Sequence, residues 1–118
     1  MVSFNETGRD DTIAIAMYGK LTKDDYDVAL PIFKELIRRY EKIRVLFLLE
    51  GYDSMTLGAF AKEVKFDLSH RDSFVKIAFV GDKEKLSTAE KVAKAYFTAE
   101  VKLFGPEERQ LAQQWVEG

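Results

Sequence analysis

The sequence has no cysteine and a single histidine. Disulfides, thiolate metal sites and thiol nucleophiles are therefore excluded, and a metal ion would have to rest on carboxylates. Only two prolines and seven glycines are spread along 118 residues. They form no linker and mark no boundary, so residues 1–118 read as one domain. No apolar run approaches the roughly 18 residues of a membrane span. The first residues, Met1-Val2-Ser3-Phe4-Asn5-Glu6, carry neither a basic region nor a long apolar one, so they do not read as a secretory signal. With the missing cysteine, this gives a cytoplasmic location as the expectation. Neither sign of charge dominates: 18 basic residues face 20 acidic ones, for a net charge of −2. Such a balance offers no strong attraction for nucleic acid and little for an anionic membrane surface.

Apolar residues, in contrast, are plentiful. They make up 47% of the chain and include nine phenylalanines, five tyrosines and one tryptophan, enough for a core without staples. Val2 to Glu6 and Thr12 to Tyr18 read as strands joined by the turn Thr7-Gly8-Arg9-Asp10-Asp11. Thr22 is a helix cap with Asp24 and Asp25 behind it, and Tyr26, Leu30, Phe33, Ile37 and Tyr40 recur at helical spacing. Pro31 predicts a kink or the start of a second helix. Val45 to Leu49 is a continuous apolar run, the mark of a strand buried on both faces. Leu57, Phe60, Ala61, Val64 and Leu68 form one helical stripe. Val75 to Val80 is a further buried strand. Leu86, Ala89, Ala93, Tyr96 and Phe97 form the next stripe, and Glu100 to Phe104 a last strand. Gly105-Pro106-Glu107-Glu108 predicts the opening of a terminal helix whose inner face is Leu111, Ala112 and Trp115. This order predicts an α/β fold: a mainly parallel five-stranded sheet with an antiparallel N-terminal hairpin strand and about four helices. Ligands usually bind at the rim formed by the strand C-terminal ends. Here that rim would hold Gly19-Lys20, Glu50 through Thr56, Gly81-Asp82-Lys83 and Gly105-Pro106.

Three segments carry a family resemblance. They are Thr56-Leu57-Gly58-Ala59 running into Val64-Lys65-Phe66-Asp67-Leu68; His70-Arg71-Asp72-Ser73-Phe74-Val75-Lys76-Ile77-Ala78-Phe79-Val80-Gly81-Asp82; and Ala99-Glu100-Val101-Lys102-Leu103-Phe104 with Glu108, Ala112 and Trp115. In this order they resemble the small stand-alone SpoIIAA-like proteins of bacteria. The resemblance implies a fold shared with STAS domains and with CRAL-TRIO lipid-binding domains. Anti-anti-sigma factors of the STAS group are switched by phosphorylation of a serine in Asp-Ser-Ser-Gly-Leu. Here Asp53-Ser54-Met55-Thr56-Leu57-Gly58 puts Ser54 at that place, with Thr56 where the motif has glycine.

Catalysis finds little support. His70 falls between a helix end and a strand start, away from the rim, where a helix-capping role is natural. His70-Arg71-Asp72 echoes a kinase catalytic loop, but the asparagine it requires downstream is absent and no Gly-rich loop exists. Glu50, Asp53 and Asp82 could meet at the rim around a magnesium ion, or simply cap helices and end strands. The turn Gly81-Asp82-Lys83 offers a phosphate contact, yet no G-x-G-x-x-G or Walker pattern follows any strand. No nucleophile–base pair, cofactor motif or metal site results, and the chain reads as a non-enzyme without cofactor.

The apolar surplus at the rim is more informative. Tyr52, Met55, Leu57, Phe60, Ala61 and Val64 are the expected ligand-binding residues, as the wall of a site for a small apolar or lipid-like molecule beneath the 56–68 helix. Phe66 falls opposite the stripe and suggests an interface, either a homodimer contact or a peripheral membrane contact. The alternative is a signalling module that docks a protein partner and is switched at Ser54.

Overall fold

The computed structural model describes residues 1–53, 55–59, 62–63 and 71–118. Along the chain run β1 (Val2–Glu6), β2 (Thr12–Gly19), α1 (Lys23–Tyr40), β3 (Ile43–Tyr52), helical residues at 55–59 and 62–63, one 3-10 turn (Arg71–Ser73), β4 (Phe74–Val80), α2 (Lys83–Tyr96), β5 (Glu100–Phe104) and α3 (Arg109–Glu117). The five strands lie side by side in chain order. β1 pairs antiparallel with β2, and every later pair is parallel.

Period-two alternation sorts the strand residues onto two faces. One row across the sheet is Phe4, Ile15, Phe47, Phe79 and Leu103, and the row beside it is Ala16, Leu48, Val80 and Phe104. Odd-numbered residues of β2 to β5 share a core with Tyr26, Ala29, Phe33 and Ile37 of α1 and Leu86 of α2. Even-numbered residues Ala14, Leu46, Ala78, Val80 and Phe104 pack on Ala112 and Val116 of α3. Right-handed crossovers that always step in one direction place α1 and α2 on the same face. α3, which follows the last strand, seals the other.

α1 begins with a full capping box. Thr22 Oγ1 accepts from the Asp25 N–H, and the Asp25 carboxylate accepts from the Thr22 N–H at 2.9 Å. Pro31 does not start a second helix; α1 continues through it. Pro31 lies on the exposed side, so the Asp27 carbonyl that loses its partner can turn to water.

The terminal segment also differs from expectation. The Glu108 carboxylate accepts the Gly105 N–H at 2.7 Å, which closes residues 105–108 into a turn and delays the helix to Arg109. That delay rotates the helix. Leu111 is 52% exposed, Trp115 is half-buried, and Val116 takes the fully buried place.

Candidate functional site

In a parallel sheet the central strands are normally covered on both faces. Phe47 of β3 and Phe79 of β4 are register partners at the centre of the odd-numbered face, and both are only half-buried. Their rings stack with centroids 5.3 Å apart and planes 14° apart. They belong to the wall of a cavity of about 630 Å³. Phe33 of α1 borders it, as do Leu57, Gly58 and Lys62 of the helical residues after β3, and Ala89, Val92 and Ala93 of α2. Gly58, Ala89 and Ala93 are the small residues in this lining.

A second cleft of about 670 Å³ opens at the C-terminal ends of β3 and β4, bordered by Glu50, Tyr52, Asp82, Lys85 and Arg109 among others. Leu49, Tyr52 and Lys85 line both spaces, so the apolar cavity and the rim cleft adjoin. Burial, with Asp82 adding to it, pushes the Tyr52 phenol upward. It is therefore a neutral hydroxyl over the ordinary pH range.

Two carboxylates at the rim serve as caps. Asp53 Oδ1 accepts the Thr56 N–H at 2.9 Å, and the Asp53 carbonyl accepts the Leu57 N–H at 3.0 Å. The Thr56 backbone N–H, ahead of the Thr56 hydroxyl, holds the Asp53 carboxyl below its ordinary value. Thr56 Oγ1 in turn accepts the Leu21 N–H at 3.0 Å, tying this helix start to the segment after β2. Asp82 Oδ1 accepts the Glu84 N–H at 3.0 Å and the Lys85 N–H at 3.4 Å. The possible magnesium trio of Glu50, Asp53 and Asp82 does not assemble: among the described residues no group of three or more such side chains could hold a metal ion.

The SpoIIAA-like family model matches residues 12–117, nearly the whole length. The chain belongs to the SpoIIAA-like family. It is also similar to the crystal structure of an uncharacterized DUF3478-family protein with a SpoIIAA-like fold from Shewanella loihica PV-4. That match has a TM-score of 0.70 at 24% identity, over 98% of this chain and 92% of that one. At that identity the likeness speaks for the fold alone. A comparison with curated proteins finds no match. The SpoIIAA-like fold is compatible with a signalling or binding module. No helix among the described residues is long and apolar enough to cross a membrane.

Of the ligand-binding residues expected from the SpoIIAA-like sequence, Tyr52 and Leu57 come together at the apolar cavity. Met55 does not border it; its side chain is 85% exposed, because the Asp53 cap starts the helix with Met55 on the outer side. Phe60, Ala61, Val64, the interface residue Phe66, the phosphorylation candidate Ser54 and His70 lie outside the described residues. Sequence reasoning missed Phe47, Phe79 and Lys85. Phe47 and Phe79 sit inside continuous apolar runs, where nothing in the run separates a covered side chain from a half-covered one. Strand alignment could have paired them, since each lies two residues past the matched pair Val45 and Ile77.

Proposed function

We propose that this SpoIIAA-like chain is a non-catalytic binding module for a small apolar or lipid-like ligand. The ligand would lie between the odd-numbered sheet face and the helical residues 55–59 and 62–63. The observation that carries this reading is the half-buried Phe47–Phe79 stack at the sheet centre, beneath a cavity of about 630 Å³. Fully burying one large apolar side chain is worth about 1.5–3 kcal/mol. A guest covering both rings would gain part of that twice, without demanding a hydrogen bond in return.

The test is native mass spectrometry of freshly isolated protein, followed by titration with 1-dodecanol. Bound apolar mass or saturable dodecanol binding is expected. Ala89→Phe, which fills the cavity from α2, should abolish binding while the circular dichroism spectrum stays unchanged. Binding that survives A89F, or no binding by the unaltered chain, removes the proposal. A docking module switched by phosphorylation at Ser54 is the other reading. It draws on Met55, an apolar side chain 85% exposed next to Ser54. Phosphate transfer to Ser54 by a partner kinase, with no apolar ligand bound, would favour it.

A further inference from the structure

The charges around the apolar cavity are one-sided. Its bordering residues include two charged ones, Lys62 and Lys85, and both are cations. Neither has an ion-pair partner among the described residues. Lys85 stands in the first turn of α2 and also borders the rim cleft. Arg109, at the start of α3, also borders that cleft and is likewise without an ion-pair partner among the described residues. Tyr52, also shared by the two spaces, adds a hydroxyl donor. A route from an apolar interior to the rim thus passes donors and positive charge.

From this we infer that the ligand is an amphiphile with one compact anionic head group, a carboxylate or a phosphate monoester. Its tail lies on Phe47 and Phe79 and its head lies between Tyr52, Lys85 and Arg109. The inference rests on the ligand-binding reading above and adds the head-group chemistry to it. The acids at the rim limit the head's charge. Asp82 Oδ1 is occupied by the N–H groups of Glu84 and Lys85, while Glu50 is exposed beside the cleft. A polyphosphate would meet both carboxylates, whereas one compact anion can be held by the two cations. A charge-assisted hydrogen bond then discriminates against a neutral head of the same tail length.

Four probes with one tail separate the possibilities: dodecanoate, dodecyl phosphate, 1-dodecanol and dodecylammonium, titrated calorimetrically at pH 8 below their aggregation limits. The anionic probes should bind at least about tenfold tighter than dodecanol, the worth of one charge-assisted hydrogen bond, and dodecylammonium should bind weakest. Lys85→Gln should erase the anion preference, so that dodecanoate binds no tighter than dodecanol. Lys91→Gln, an equal charge change at an exposed position on the same helix, should leave the preference intact. A tighter dodecanoate points to free fatty acids, and a tighter dodecyl phosphate to phospholipid-like heads. Equal binding of dodecanol and dodecanoate, or a preference that survives K85Q, overturns this inference while leaving apolar binding standing. Failure of all four probes overturns the binding reading itself, and the head-group inference with it.

Discussion

Gly81 follows β4 where the chain turns into α2, and a methyl group there has nowhere to go. A Cβ built on Gly81 would stand 2.8 Å from the Leu49 carbonyl oxygen and 2.8 Å from Leu86 Cδ1. Real Cβ contacts essentially never approach so closely. Leu86 could move only by disturbing a fully buried side chain. The Leu49 oxygen belongs to the neighbouring strand and cannot retreat without breaking register. The Gly81 N–H is also committed, donating to the Phe104 carbonyl at 3.0 Å. Overpacking of this kind typically costs about 1–3 kcal/mol, and with a backbone atom as one partner Gly81→Ala should fall in the upper half of that range. Gly51→Ala is the control. Gly51 has φ of 59° but nothing within 4 Å of its Cβ position, so its cost is conformational, about 1–2 kcal/mol. Urea unfolding followed by tryptophan fluorescence measures both. In the Gly81→Ala background, Leu86→Ala should cost less than it does alone, because it removes one of the two clashes; for Gly51→Ala the two costs should simply add. If Gly81→Ala unfolds at the wild-type urea midpoint, the β4–α2 junction is looser than its contacts indicate and the steric argument is wrong.

Three further outcomes are expected. Val116→Ala, at a fully buried position, should cost about 2–3 kcal/mol, whereas Leu111→Ala on the exposed side of the same helix should stay within about 0.5 kcal/mol; similar urea midpoints for the two would mean that α3 is rotated. Asp11 is held down to about 2, chiefly by the Arg9 guanidinium, which donates to its two oxygens at 2.9 Å each, with Thr12 assisting. Its folded pKa lies below its unfolded value, so its contribution to stability is complete above about pH 4 and fades as pH falls towards 2. Asp11→Asn should therefore lower the melting temperature at pH 6 but match wild type near pH 2, and a constant difference across that range would refute the assignment. Finally, Trp115 emission should shift when Lys76 is changed to Met, because the Lys76 ammonium lies 4.9 Å from the indole centroid; unchanged emission would place the ammonium elsewhere.

The element order was legible because the buried strands are strongly apolar, and Val45 to Leu49 and Val75 to Val80 both lie within observed strands. The ends were harder to read. Glu50-Gly51-Tyr52 looks like a loop, yet Gly19 pairs with Tyr52 and extends β3 to that point. Pro31 looks like a break, but it falls on the side away from the Tyr26, Leu30, Phe33, Ile37 and Tyr40 stripe, where the lost hydrogen bond meets solvent and the helix carries on. In the last helix a side chain decided the matter: Glu108 folding back on Gly105 moved the start and turned Leu111 outward. For the site, Tyr52 at the end of β3 and Leu57 shortly after it were legible as rim residues by position, and both border the cavity. Lys85 was not found, because an isolated lysine in a polar first turn looks like any solvated helix residue until the cavity beneath it is known.

The side-by-side order of the strands has one further consequence. Many open α/β sheets reverse strand order once, and their helices part to opposite faces there, leaving a crevice that any sequence with the fold inherits. Here the order never reverses, so the fold supplies no such crevice beneath α1 and α2. Side chains border the cavity, with the stacked rings on the sheet and Gly58, Ala89 and Ala93 among the residues of the helices. Its capacity can therefore be retuned one residue at a time on an unmoved backbone. Within one architecture, neighbouring sequences can have room for a long guest, a short one or none.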